Sequence, residues 1–193
     1  MRFNIIVAMD QNRGIGINNK IPWDFRQDLS YFKNLTKGAG DNAIIMGKNT
    51  YLSLNRPLPH RDNIVLSSSL DSIDKSAILC KNMKQLFDYL TNKNDNKITP
   101  KSRHDKTDTN CNNKNVVYDD IWIIGGSVIY KQFLDMPEYI NKIYITEIDN
   151  AYKCDTFFPE LPNYYELENT SITSENSTAL IFTTYKNNYI GDL

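Results

Sequence analysis

Short apolar runs alternate along the chain with stretches of helical periodicity, which predicts strands and helices in turn. The apolar runs are typical of buried strands, and they are Phe3–Met9, Asn42–Gly47, Asn63–Ser68, Ala77–Cys80, Asp120–Ile124 and Lys142–Ile148. The predicted helices lie between them, at Asp24–Thr36, Lys48–Leu54, Met83–Leu90 and Gly126–Leu134. This alternation predicts an α/β fold in which a central, mostly parallel sheet is flanked by about four helices on both faces.

The last part of the chain follows a different pattern. Tyr164–Thr173 and Ala179–Asn187 alternate apolar and polar residues, which is typical of strands with one exposed face. The two runs lie close together in sequence and predict a C-terminal antiparallel hairpin at the edge of the sheet.

Residues 92–115 interrupt the alternation. Ile98 is the only aliphatic residue in this stretch, and so polar a segment buries too little surface to offset its ordering entropy. We therefore predict a single domain over 1–193 with a polar, disordered insertion at 92–115. The alternative is an arm that binds a partner or nucleic acid, but six Lys and Arg against three Asp give it only a weak charge bias.

The overall charge narrows the class of protein. The 193 residues carry 22 Lys and Arg against 23 Asp and Glu, a net charge of −1, which favours neither nucleic acid nor an anionic membrane as a partner. No apolar run approaches the ~20 residues of a membrane helix. The three cysteines are odd in number and widely spaced, so we expect a reduced, cytoplasmic chain.

Few residues can carry catalysis by themselves. Of the two histidines, His60 lies in a proline-rich turn and His104 in the polar insertion. A histidine-activated nucleophile therefore has no credible base, and no Cys/His cluster predicts a metal. These observations favour an enzyme whose cofactor supplies the chemistry.

One carboxylate and two glycine turns are candidates for binding. Asp28 lies beside the apolar stripe of its helix, where it is either a solvated residue near the helix start or a carboxylate that faces an apolar cleft. Gly125–Ser127 and Gly47–Thr50 each follow a strand and open a helix. They are either plain tight turns or places where backbone N–H groups meet the phosphates of a dinucleotide. The loop Asn12–Asn19 is either a mobile lid or a simple connection.

Taken in order, these features resemble the dihydrofolate reductase family along the whole chain apart from the insertion. The motifs that carry the resemblance are Gly14–Gly16, Ile21–Trp23, Asp28 and Leu29 with Phe32, Ile45–Tyr51, Arg56–Asn63, Leu66–Ser68, Ile124–Tyr130, Thr146–Ile148 and Asp155–Pro159. The resemblance implies hydride transfer from NADPH to C6 of dihydrofolate, in support of one-carbon metabolism and thymidylate synthesis, in an antifolate target.

The resemblance also implies how the substrate is held. The expected catalytic residues are Asp28, Trp23 and Thr146. Asp28 matches the carboxylate that binds the pterin 2-amino group and the adjacent ring nitrogen and so orients and polarises the ring, and Thr146 matches the residue that bonds to the same edge. The proton is expected to arrive through water. Arg61 matches the arginine that pairs with the substrate's glutamate α-carboxylate. The remaining substrate-binding positions form apolar walls, and they are Ile6, Val7, Leu29, Phe32, Leu54, Leu58 and Ile124.

The cofactor positions follow from the same resemblance, which implies a cis peptide between Gly125 and Gly126 and a lid over Met9–Asp24. Lys48 and Ser68 are expected near the 2′-phosphate. Asn49 and Ser68 stand where relatives often carry a second cation for the 2′-phosphate. The resemblance therefore implies the reaction more directly than it implies the preference for NADPH over NADH. The expected NADPH-binding residues are Ala8, Ile15, Gly16, Gly47, Lys48, Asn49, Thr50, Leu66, Ser67, Ser68, Gly125, Gly126, Ser127, Val128, Ile129 and Tyr130.

Three alternatives stay open from the sequence. The chain could be a pyrimidine reductase of riboflavin synthesis, against which the set of Trp23, Asp28, Arg61 and Thr146 argues. It could be a folate-binding protein without turnover. It could also be linked to or associated with thymidylate synthase, which the sequence does not decide.

Overall fold

The structure is a computed structural model that describes residues 1–94 and 118–189. The helices are α1 (Arg26–Lys37), α2 (Lys48–Ser53), α3 (Met83–Asn94) and α4 (Ser127–Leu134), with a single 3₁₀ turn at Pro137–Tyr139. The strands are β1 (Phe3–Asp10), β2 (Gly14–Gly16), β3 (Asn42–Gly47), β4 (Arg61–Leu66), β5 (Ala77–Cys80), β6 (Ile121–Gly125), β7 (Ile140–Ile148), β8 (Thr156–Phe157), β9 (Tyr165–Glu175) and β10 (Thr178–Asn187). In the described part of the chain, these elements confirm the predicted α/β fold.

Eight strands form one sheet in the order β5-β4-β3-β6-β1-β7-β10-β9. Every neighbouring pair is parallel except those of β10, which runs antiparallel to both β7 and β9. The predicted hairpin at the edge is therefore confirmed. Because β6 inserts between β3 and β1, the carboxyl ends of three parallel strands meet in the middle of the sheet, where ligands bind in open α/β sheets.

Side chains of alternate strand residues supply two cores, one on each face of the sheet. In β1, Phe3, Ile5 and Val7 pack against α3 and α4, whereas Ile6 faces α1 on the other side. The strands are buried on both faces and so appear in the sequence as continuous apolar runs.

The structure differs from the sequence-based prediction mainly at element ends. α1 begins at Arg26, two residues after the predicted Asp24, because the backbone of Phe25 is extended. α3 extends to Asn94, into the predicted insertion, and the rest of that insertion lies outside the described residues. The small sheet of β2 and β8 was not predicted, since strands this short produce no detectable periodicity.

A buried carboxylate joins the end of β1 to two loops. The Asp10 side chain is 2% exposed, and it accepts backbone N–H groups from Asn12 at 2.9 Å, Gly14 at 2.7 Å and Tyr152 at 2.8 Å. These bonds hold the loop after β1 against the segment that follows β7.

No helix within the described residues is long and apolar enough to cross a bilayer.

We expect Asp10→Asn to lower the free energy of unfolding by about 1–3 kcal/mol, because an amide nitrogen cannot accept and leaves a buried N–H unpaired. Urea denaturation measures this loss. The control is Asp149→Asn, since the exposed Asp149 carboxylate accepts a bond from the Gln11 side chain at 2.6 Å and the loss of such a surface contact should cost less than about 0.5 kcal/mol. Equal effects in the two variants would contradict this role of Asp10.

Candidate active site

Asp28 lies in the first turn of α1 and faces the end of β7. Its carboxylate accepts a hydrogen bond from the Thr146 hydroxyl, and Thr146 is 1% exposed and paired with Ala8 of β1. Burial raises the pKa of Asp28, the Thr146 hydroxyl opposes this rise, and the charge of Glu175 adds to it. This environment favours a carboxylate in a partly buried cleft over a solvated residue at a helix start.

Apolar side chains line the region beside Asp28. Ile6, Phe32, Leu54, Leu58 and Ile124 belong to one cluster on the α1 face of the sheet, so the structure brings these predicted substrate-binding residues together. They come from β1, α1, the loop after α2 and β6. This cluster can receive a flat apolar ring system next to a carboxylate.

Two predicted substrate-binding side chains lie outside this cluster. Val7 points to the opposite face and packs with the α3 and α4 core, because neighbouring residues of a strand alternate between faces. Its side chain therefore does not reach the cluster, and only its backbone is available there. Leu29 lies on α1 beside Asp28 and is 52% exposed.

Arg61 lies at the start of β4, near the C-terminal end of α1. Its guanidinium donates to the Thr36 hydroxyl at 2.6 Å and to the Pro59 carbonyl at 3.2 Å, and it lies 6.0 Å from the ring centroid of Phe32. Burial lowers the pKa of Arg61. Within the described residues Arg61 forms no ion pair, so its charge is available to a carboxylate of a ligand.

Trp23 lies in the loop before α1 and packs on Tyr152, with ring centroids 5.1 Å apart. It joins a small cluster with Ala8 and Phe25. Its indole N–H is buried and has no hydrogen-bond partner among the described residues. A buried donor of this kind requires an acceptor, which a water molecule or a ligand can supply.

The predicted lid is tied to the segment around β8. Gly14 and Gly16 of β2 pair with Phe157 and Thr156, and the Asn18 N–H donates to the Asp155 carboxylate at 2.8 Å. Ile15 packs against the α4 core. Residues 14–18 are therefore held in place at several points. The sequence alone predicted only a loop here and none of these contacts.

Two glycine turns meet where β3 and β6 end. A Cβ atom on Gly47 would lie 2.9 Å from Ile129 Cγ1 and 3.8 Å from the Gly125 carbonyl oxygen. Gly125 has φ of 110° and a Cβ there would lie 2.9 Å from the Tyr130 ring, so a side chain at either position would clash. The Gly125–Gly126 peptide is cis, as the resemblance implies.

The first turn of α4 offers free backbone donors at this place. The N–H groups of Ile129 and Tyr130 bond to the Gly126 carbonyl, which leaves Ser127 and Val128 ahead of the first intrahelical bond. Gly126 supplies no side-chain cap. An anion can therefore approach these N–H groups directly.

The remaining predicted cofactor residues divide by exposure. Lys48 donates to the Ser69 hydroxyl at 3.3 Å, next to the exposed Ser68, and Asn49 and Val128 are also exposed. The Thr50 hydroxyl lies near Gly126. In contrast, the side chains of Leu66, Ile129 and Tyr130 pack in the core, and the Tyr130 hydroxyl donates to the Ile6 carbonyl at 2.8 Å.

Sequence reasoning missed three polar residues that hold this site. Thr36 orients Arg61, Asp10 anchors the lid, and Glu175 contacts the start of α1. Ser67, which the sequence predicts as a cofactor residue, uses its hydroxyl to accept the N–H groups of Ser69 and Leu70. The contacts of Glu175 and Thr36 join residues far apart in sequence and leave no local signal.

Comparisons with known proteins agree with this geometry. A family model described as dihydrofolate reductase matches residues 2–187. The dihydrofolate reductase of Drosophila melanogaster is 36% identical over 174 residues, which cover 86% of this chain and 83% of the relative. That of Bacillus subtilis is 32% identical over 157 residues, or 81% and 75% of the two chains.

A solved structure also matches the fold. The dihydrofolate reductase from Enterococcus faecalis, complexed with NADP(H) and RAB-propyl, superposes with a TM-score of 0.74 at 25% identity. The match covers 97% of each chain. The likeness therefore extends over the sheet and the helices that build the site.

We expect Asp28→Asn to raise the melting temperature of the ligand-free protein at neutral pH. Because the folded-state pKa of Asp28 is above its ordinary value of 3.8, folding favours the protonated form. The stability from this group is full below the unfolded pKa and is lost as the pH rises through the folded pKa. A neutral amide avoids that loss.

Thermal denaturation at neutral and at mildly acidic pH measures the effect, and the difference between variant and wild type should narrow as the pH falls. Asp88→Asn is the control, because Asp88 is an exposed carboxylate on α3 that pairs with Lys84. A lower melting temperature for Asp28→Asn at neutral pH would contradict the cost assigned to the buried carboxylate.

Proposed function

The chain belongs to the dihydrofolate reductase family, and from this membership we infer that it reduces 7,8-dihydrofolate to 5,6,7,8-tetrahydrofolate with NADPH. The observation that carries the inference is the pair of Asp28 and Thr146 within a chain that matches the family almost from end to end. The alternatives of a pyrimidine reductase and of a folate-binding protein without turnover gain no support from any contact in the site.

The residues present fit a dinucleotide phosphate. Gly47 and Gly125 leave room that a Cβ atom would fill, and Ser127 and Val128 direct free N–H groups to the same place. Lys48, beside Ser68 and Ser69, is the cation for the 2′-phosphate. When bound, NADPH supplies the hydride that is transferred to C6 of the pterin.

Asp28 orients the pterin. An ionised carboxylate accepts two parallel N–H bonds from the 2-amino group and the adjacent ring nitrogen, and bonds to a charged acceptor are stronger than neutral ones. The Thr146 hydroxyl holds the carboxylate from β7 and leaves its other lone pairs free. The cluster of Ile6, Phe32 and Ile124 then receives the apolar faces of the rings.

Water delivers the proton to N5, and the buried, unpaired N–H of Trp23 is a donor that can hold this water. Trp23 shares a cluster with Ala8, and Ala8 pairs with Thr146 on the neighbouring strand. Trp23 is therefore close to Thr146, the residue that contacts Asp28. The lid over Met9–Asp24 limits the access of bulk water to the reacting atoms.

Arg61 binds the α-carboxylate of the substrate's glutamate. Thr36 and Pro59 hold the guanidinium from one side, and a planar guanidinium matches a carboxylate with two parallel bonds. Asp28 and Arg61 lie towards opposite ends of α1 and bind opposite ends of the substrate.

The wider context of the enzyme forms part of the same proposal. We propose that residues 1–193 act as one catalytic domain in the cytoplasm, where the chain supports one-carbon metabolism. We also propose an association with thymidylate synthase, whose product dihydrofolate is the substrate here. Co-purification of the two enzymes tests this association, and a chain that elutes alone contradicts it.

We expect Asp28→Asn to lower kcat/KM for dihydrofolate by about 100-fold or more, since two charge-assisted bonds to the pterin are weakened. Loss of reduced-nicotinamide absorbance measures turnover, and NADPH binding should stay within about twofold of the wild type. Full activity in this variant would overturn the role of Asp28. A wild-type protein that binds both ligands without turnover would indicate a silent folate-binding protein.

We expect Arg61→Lys to raise the KM for dihydrofolate by about tenfold, because a lysine cannot form the paired bonds to the α-carboxylate. A dihydropterin that lacks the glutamate should be reduced equally well by both forms. The matched control is Arg56→Lys, an exposed arginine of the loop that precedes β4. An equal loss with both substrates would refute the assignment of Arg61 to the glutamate.

A further inference from the structure

Helix α1 has no N-terminal cap of its own. Its N-cap residue is Phe25, whose side chain is apolar and forms no capping bond. The first N–H groups of a helix have no intrahelical partner and need an acceptor from elsewhere. Glu175 provides two acceptors, since its Oε1 accepts the Arg26 N–H at 3.0 Å and its Oε2 accepts the Gln27 N–H at 2.9 Å.

The hairpin that carries Glu175 has a short turn directly after this residue. Glu175 is the last residue of β9 and pairs with Thr178 of β10. The two residues between them, Asn176 and Ser177, have φ of 52° and 63°, which is the geometry of a two-residue turn whose twist matches the strands. The carboxylate of Glu175 is therefore presented from a rigid position.

Gln27 adds two further bonds between the same elements. Its amide nitrogen donates to the Ser174 carbonyl at 2.9 Å, and its amide oxygen accepts the Thr173 hydroxyl at 2.7 Å. Four hydrogen bonds thus join the end of the hairpin to the two residues directly before Asp28. A helix start held from two sides has little freedom to rotate or fray.

We propose that Glu175 is a positioning residue for dihydrofolate reduction: it caps α1 from the hairpin and so holds the first helical turn, with Asp28, where the pterin edge binds. This inference rests on the proposed function. α1 also carries Phe32 and Thr36, so the same cap sets the position of one whole wall of the substrate site.

The carboxylates of Glu175 and Asp28 also interact through their charges. The backbone N–H groups of Gln27 and Arg26 lower the pKa of Glu175, so it stays ionised, and its charge in turn raises the pKa of Asp28. Without Glu175, the positive end of the helix would favour the ionised form of Asp28 more strongly.

The other groups that face Asp28 come from three elements. The Thr146 hydroxyl of β7 lowers its pKa, while Tyr130 of α4 and Tyr31 of α1 each feel the Asp28 charge, which raises their own pKa values. Both tyrosines stay neutral near neutral pH. Glu175 is therefore the group whose removal changes the charge next to Asp28, and its loss lowers the pKa of Asp28.

Two variants of Glu175 distinguish the effect of its capping hydrogen bonds from the effect of its negative charge. Glu175→Ala removes both, and Glu175→Gln removes the charge but keeps one acceptor oxygen. The matched control is Glu168→Gln on the same strand, whose carboxylate pairs with Lys142 at 2.6 Å and does not contact α1. The measurements are kcat and KM for dihydrofolate, NADPH affinity, and titration of the Asp28 carboxyl by carbon NMR.

We expect Glu175→Ala to lower kcat/KM for dihydrofolate by about three- to thirtyfold, the range of a lost helix cap, mainly through KM. NADPH affinity should be unchanged. Glu175→Gln should lose less activity, the Asp28 titration should move to lower pH in both variants, and Glu168→Gln should match the wild type.

A wild-type KM for dihydrofolate together with an unshifted Asp28 titration in Glu175→Gln would overturn the proposal, even if the melting temperature fell. Glu175→Gln carries this test if Glu175→Ala does not fold. Absence of turnover in the wild type would instead refute the proposed function, and the NMR titration would still decide whether Glu175 acts on Asp28.

Discussion

The insertion of β6 between β3 and β1 is the constraint on which the rest of the site depends. Parallel neighbours end at the same edge of the sheet, so this order brings the turn at Gly47 against the turn at Gly125. Pairing of β1 with β7 then places Thr146 beside Ala8. The proposed cofactor region and the proposed substrate region thus adjoin at one edge of the sheet, and no single element forms either of them.

The proposed substrate region has the same kind of contact near both ends of α1. A buried or half-buried charge is held by a threonine hydroxyl: Thr146 for Asp28 and Thr36 for Arg61. A hydroxyl fixes the orientation of the charged group but leaves its charge uncompensated. The protein therefore bears the desolvation cost of both groups in order to present one negative and one positive charge to a ligand.

The loops around the site are ordered by carboxylates that accept backbone N–H groups. Asp10 joins the loop after β1 to the segment near Tyr152, Asp155 holds Asn18, and Glu175 caps α1. In each case an acidic side chain accepts from backbone N–H groups that have no acceptor in a strand ladder or a helix. The predicted lid and the helix that carries Asp28 are thereby held by residues that lie outside them.

The sequence by itself determined the elements with strong periodicity and the residues with special chemistry. The buried runs, the edge hairpin, Asp28 and the two glycine turns all produce local signals, because burial, charge and the lack of a side chain are properties of single residues or short windows. The resemblance to the family identified Arg61 and added the roles of the other residues.

Only the tertiary structure decided what depends on long-range pairing. The sheet of β2 and β8 is too short to show a period, and strand alternation sends Val7 away from the cluster that Ile6 joins. Ile129 and Leu66 supply core packing with their side chains. The contacts of Glu175 with α1 join residues about 150 positions apart in the sequence, and no local pattern can predict so distant a partner.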